Sequence, residues 1–164
     1  MGRPMFESLE AFGAAVGGSA FADALKFSLY GYSLTNTAHI FGVALLVGAI
    51  LPLDLRLLGF FRSVDREQAT RLLVPFAATG LAIAVCAGMA LFTARAGNYV
   101  QSSLFGYKLF LISAGALGAI ILHMRAGWWL EGASDRCVTV HGALSLISWL
   151  GALVLGRMIA YFPG

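Results

Sequence analysis

The sequence predicts an all-α integral membrane protein, a single-domain four-helix bundle preceded by a short interfacial amphipathic helix. Three observations lead there. Hydrophobic residues make up 59% of the chain and charged residues only 12%, more apolar than a water-facing surface tolerates. Four apolar stretches each supply the roughly 20 helical residues that a hydrocarbon layer of about 30 Å requires. The 20 glycines are spread through those stretches rather than gathered in a repeat, the usage of closely packed transmembrane helices.

In chain order, the segment 5–16 sets Met5, Phe6, Leu9, Phe12 and Val16 at helical spacing, away from Glu7 and Glu10. That is the pattern of a helix lying in the membrane interface. No basic segment with a short apolar core and a cleavage site precedes Asp23 and Lys26, so no removable signal peptide is expected and the first span directs its own insertion. The spans are expected at about 33–61, 72–93, 107–124 and 140–162, the first being apolar to Leu53 and continuing as helix toward Phe61. Lipid admits only helices and closed barrels, and runs this long without strand alternation are helices.

The formal charge of +3 comes from eleven Lys and Arg scattered singly, which reads as loop basicity and not as a nucleic-acid surface. Arg56, Arg62, Arg66, Arg71, Arg125 and Arg136 follow spans one and three, whereas Arg3, Lys26, Arg95, Lys108 and Arg157 fall on the other side. The Arg-dense first loop is therefore placed in the cytoplasm and both termini outside. Cys86 within span two and Cys137 in a cytoplasmic loop are not expected to form a disulfide.

Small residues recur at helix-packing spacing: Gly80, Ala84 and Gly88 on span two, Gly115, Gly118 and Ala119 on span three. On span four His141, Ser145, Ser148, Ala152 and Gly156 share one face, which admits a neighbouring helix or a flat cofactor.

Ionisable groups are costly in a bilayer, so their depth matters more than their number. His39 lies inside span one with Tyr32, Asn36, Gly42 and Leu46 near its face. It reads either as an imidazole bonded to a neighbouring helix or as a metal or haem ligand. Lys108, Arg157 and Tyr161 share its outer half. A neutral lysine amine can serve as an axial ligand and an arginine suits a propionate, while snorkelling to headgroups is the structural alternative for both. At the inner boundary, His123 and His141 could clamp a haem between spans three and four, or bind copper or zinc together with Cys137. Asp54 and Arg56 read as a solvated boundary pair, and Trp128, Trp129, Tyr99, Tyr107 and Tyr161 as interfacial belts. The sequence carries no phosphate loop, HExxH, GxSxG or paired intramembrane carboxylates, so any redox chemistry falls to a bound cofactor.

The strings AHIFGVALLVGAILPLDLRLLG, FGYKL and LGRMIAY resemble a bacterial family of small four-span inner-membrane proteins of uncharacterised function, over roughly Phe27 to Phe162. More distantly, the pattern is similar to HemJ-type protoporphyrinogen oxidases and to CopD-like membrane domains. The HemJ-type pattern has a histidine in the first span and a lysine opening the third, both tied to b-type haem; these match His39 and Lys108. Asn36 departs from the lysine that the pattern usually has before that histidine, and DLRLLG replaces its basic aromatic string. The resemblance thus implies a haem-bearing bundle rather than protoporphyrinogen oxidation.

The expected function is that of a b-type haem protein in electron transfer or a small membrane oxidoreductase. His39 is the axial ligand, Lys108 or His141 the second, and Arg157 the propionate partner. A quinone or periplasmic carrier would be the redox partner, in a homo-oligomer or a larger membrane complex. The rival readings are copper binding or transport through His39, Met89, His123, Cys137 and His141, and a cofactor-free structural subunit.

Overall fold

The computed structural model describes residues 3–100 and 102–161, the side chains of residues 3–7, Leu9 and Asn98 excepted. Among the described residues are seven helices and no strand: α1 (Arg3–Gly17), α2 (Ala20–Phe27), α3 (Gly31–Leu57), α4 (Arg66–Ala94), α5 (Ala96–Val100), α6 (Ser103–Ala126) and α7 (Asp135–Tyr161). Helices α3, α4, α6 and α7 are long and apolar enough to cross a membrane. The chain is a multi-pass helical membrane protein.

The ends of the spans differ from the hydropathy limits for local reasons. Helix α3 stops at Leu57 and does not reach Phe61, because Gly59 (φ +97°) and Phe61 (φ +51°) leave the right-handed region. Helix α4 begins well before its apolar run, where the Asp65 carboxylate accepts from the Gln68 N–H at 2.9 Å and caps the first turn. Helix α7 likewise starts early, at Asp135, an acid suited to the positive end of the helix dipole. Two short helices were not anticipated. Ser19 caps α2 by accepting from the Ala22 N–H at 3.2 Å, and α5 fills the turn between α4 and α6. Helix α1 agrees with the amphipathic segment expected at 5–16, although the side chains of Met5, Phe6 and Leu9, and Phe162 at the end of span four, lie outside the described residues.

The spans pair as two antiparallel hairpins, α3 with α4 and α6 with α7, and α3 against α7 joins them. Helices α4 and α6 are not closely paired, which leaves a gap between the hairpins. The α3–α4 and α6–α7 loops lie together at what is called here the hairpin end. The starts of α3 and α6, with α1, α2 and α5, form the N-terminal end.

Glycine sets the closest approach. A methyl group at Gly42 would stand 2.5 Å from the Ala84 backbone nitrogen, and one at Gly80 would stand 2.5 Å from that of Leu46. The two glycines therefore interlock α3 and α4 backbone to backbone, the role expected for small residues in a medium that offers no hydrophobic drive between helices. On the other hairpin Gly115 receives the Trp149 indole, and Gly142 on α7 makes room for Leu57 and the Asp54 carbonyl of α3. The large apolar side chains mostly turn the other way: Phe110, Ile147 and Met124 are exposed at 69%, 65% and 80%, and form part of the surface offered to lipid.

A compact cluster of Leu53, Leu57, Ala69, Leu122, Ala126, Leu130 and Val138 closes the hairpin end. Arg66 holds it. Its guanidinium donates to the carbonyls of Leu130 (3.4 Å) and Ala133 (3.2 Å) and pairs with Asp135 at 3.2 Å, tying the start of α4 to the α6–α7 loop. Leu130 itself adopts φ +61° and is fully buried, an unfavourable backbone conformation for leucine that packing sustains.

Candidate functional site

His39 lies near the N-terminal end of α3, facing α4. Its Nδ1 is 2.8 Å from the Ala84 carbonyl oxygen, so the ring donates its Nδ1 proton there. A neutral imidazole fixed this way carries a lone pair on Nε2, the tautomer that second-shell carbonyls impose on metal-ligating histidines. The same bond is also a clasp between two helices. Gly88 accommodates the ring: a methyl group there would stand 3.1 Å from His39 Cε1.

Lys108 enters from the other hairpin. Its side chain lies over Gly156 of α7, where a methyl group would stand 3.3 Å from Nζ. The amine forms no ion pair among the described residues, and it is close enough to His39 to act on it electrostatically. The expected face of span four is thereby explained at this end, since Gly156 is the seat of a lysine. Arg157, also at the N-terminal end, is exposed; it donates to the Tyr161 hydroxyl at 2.5 Å and lies 4.6 Å from that ring. Tyr32 sits under Arg95 at 5.8 Å, and Asn36 is exposed. Tyr99 joins Phe92 and Phe105 in a stack at the same end, its ring 5.0 Å from that of Phe105, and burial raises its phenol above the usual range.

His123 and His141 occupy the opposite end. His141 is one residue from Gly142, which packs on Leu57 and the Asp54 carbonyl, and Asp54 is fifteen positions beyond His39. That is roughly 22 Å of helical rise, so His39 and His141 cannot share one iron. The second-ligand role for His141 alongside His39 is corrected on that ground. Cys137 does lie one turn before His141 on α7, with Sγ 3.6 Å from Nδ1, but the ring also bonds the Cys137 carbonyl at 2.9 Å, a local contact within the helix. His123 donates to the Trp128 carbonyl at 3.0 Å. Among the described residues no three His, Cys, Asp or Glu gather into a metal-binding group, and Met89 is 60% exposed.

The hairpin end holds the largest departure from expectation. Asp54 is no solvated partner of Arg56: it is buried, 3% exposed, and shares a cavity wall with Ser145. Residues two apart on a helix do not face each other, and Arg56 instead donates to the Val64 carbonyl. That spacing, an acid with no base at the third or fourth following position, was the signal available in LPLDLRLLG. Asp54, Ser145, His123 and His141 line one cavity of about 480 Å³ between the hairpins, whose other walls include Leu46, Ile50, Leu81 and Trp149. His39 does not line it.

No protein-family model, curated protein or solved structure matches this sequence.

Proposed function

We propose that this chain is a b-type haem-binding membrane protein of the electron-transfer or small-oxidoreductase class, with His39 as an axial ligand. The observation that carries the reading is an intramembrane imidazole whose Nδ1 is already committed to a carbonyl, seated over a glycine and left with one nitrogen for a metal. The donor set fits: Lys108, without a counter-ion among the described residues and seated on Gly156, is the amine at the same end, and Arg157 is the cation available there for a propionate. Bound haem would supply the one-electron chemistry that the side chains lack.

The chain's own contribution is to orient. The Ala84 carbonyl holds the imidazole, Gly88 makes room for the His39 ring and Gly156 for the Lys108 amine. The Arg-rich hairpin end supports a cytoplasmic position for it and a periplasmic one for both termini, in a bacterial inner membrane. A quinone or periplasmic carrier then has access to the His39 end.

The test is the absorption spectrum of detergent-purified protein from haem-replete cells, oxidised and then reduced with dithionite. A Soret band and α-band are expected that vanish in His39→Ala, weaken in Lys108→Ala and persist in His123→Ala. A colourless, well-folded protein would return His39 to the role of helix clasp, and bands that survive His39→Ala would remove it from the iron.

A further inference from the structure

The hairpin end carries another cavity, of about 620 Å³, between the α3–α4 loop and the α6–α7 loop. Its wall is charged with both signs: Arg56, Arg62 and Arg66 line it together with Asp65, Glu67, Glu131 and Asp135. Most of these groups are already matched. Arg66 spends its guanidinium on Asp135 and on the Leu130 and Ala133 carbonyls, and Asp65 caps α4 through the Gln68 N–H. Glu67 pairs with Arg71 at 2.7 Å.

Arg56 and Arg62 are different. Each donates only its Nε proton, Arg56 to the Val64 carbonyl and Arg62 to the Gly59 carbonyl at 3.1 Å. No other hydrogen bond or ion pair holds either guanidinium among the described residues. A guanidinium anchored at Nε keeps both Nη groups, the fork that fits two oxygens of a phosphate. Both anchors are backbone carbonyls of one loop, so the two forks are held beside each other. Glu131 is the acid left over. Its one ion pair among the described residues is with Arg71, at 4.0 Å, and its side chain is half exposed.

The balance of signs selects the ligand. With Arg71, four arginines meet four carboxylates here, so the formal charge cancels. A dianionic phosphate or a nucleotide would gain from Arg56 and Arg62 and lose to the acids around them. A zwitterion gains from both signs, its phosphodiester on arginine and its ammonium on carboxylate. A primary ammonium also donates three hydrogen bonds, which a quaternary one cannot. The setting supplies the rest of the molecule: the cavity sits where the α3 span ends and the α4 span begins, and Phe60, Phe61 and Val64 of the same loop are exposed, an apolar rim on which acyl chains can lie. We propose that this cavity binds the headgroup of a phosphoethanolamine-class phospholipid, its phosphodiester taken by Arg56 and Arg62 and its ammonium by Glu131. The site is separate from the His39 end and needs no haem.

The test is native mass spectrometry of the full chain in detergent, with dioleoyl phosphatidylethanolamine, phosphatidylcholine or phosphatidylglycerol added at equal concentration. One phosphatidylethanolamine adduct is expected, roughly fivefold more abundant than either of the others, the scale of one half-exposed charge contact. Arg56→Gln combined with Arg62→Gln should cut it about tenfold, as the loss of charge-assisted hydrogen bonds implies. Arg125→Gln, at an exposed arginine of the same end outside the cavity, should leave it unchanged. Glu131→Gln should remove the preference over phosphatidylcholine. Equal adducts of the three lipids, an excess of phosphatidylglycerol, an adduct that survives the double variant or a preference that survives Glu131→Gln overturns the proposal. So does full displacement by soluble glycerophosphoethanolamine at the lipid's concentration, which would make the ligand a free headgroup. If the double variant does not elute as folded protein, Glu131→Gln decides alone.

Discussion

The α3–α4 contact and the gap between α4 and α6 use the same residue to opposite ends. At Gly42 and Gly80 the missing side chain is replaced by another backbone, 2.5 Å from where a methyl group would be; at Gly118 it is replaced by nothing. One region is a weld and the other a vacancy. Their chemistry follows suit. The weld carries a histidine already bonded to a carbonyl, whereas the vacancy is bordered by Asp54, Ser145, His123 and His141. Glycine content alone says that helices in this protein approach closely or leave room; which of the two occurs depends on whether two axes converge at that depth.

The comparison can be broken most severely at the weld. Gly80→Ala should destabilise the protein by about 3 kcal/mol, the upper end of the usual cost of overpacking, because the obstructing atoms are backbone and cannot rotate away. Unfolding in rising SDS followed by circular dichroism checks this, and an unchanged midpoint would mean that α3 and α4 are not in contact there. A smaller loss, about 2 kcal/mol, is expected for Arg66→Ala, since two carbonyls at the hairpin end lose a charged donor. Asp135→Asn should leave that midpoint where it is, because the Asp135 side chain is fully exposed and its pairing with Arg66 is screened. At the vacancy the sign reverses. Gly118→Ala should stabilise the helix by roughly 0.5–1 kcal/mol, the ordinary gain of alanine over glycine where no neighbour objects. A loss at Gly118 comparable to that at Gly80 would show that α4 and α6 close on each other.

The candidate site was legible in uneven measure. His39 and Lys108 could be singled out because an imidazole and an amine within apolar runs are conspicuous in any register, and both are at the N-terminal end. What holds them was not legible: the Ala84 carbonyl and Gly156 belong to other helices. Asp54 was misread because adjacency in LPLDLRLLG suggests a pair with Arg56, while helical geometry sends the two side chains to different surroundings. The sequence alone does not assign the relative depth of His141 and His39, which sit on different spans. Once Gly142 is seen against Leu57, the two histidines are separated by most of the bilayer.

The sequence by itself determined the class, the number of spans and the ionisable groups that lipid must accommodate, because the cost of burying charge and backbone in hydrocarbon is a local property of each segment. Only the tertiary structure decided which faces meet, which glycines touch and which carboxyl is buried. The physical reason is that these spans are apolar nearly all round. A helix in water announces its inner face by being greasy on one side; a helix in lipid is greasy on both, so its rotation is set by shape complementarity with neighbours that no single segment encodes.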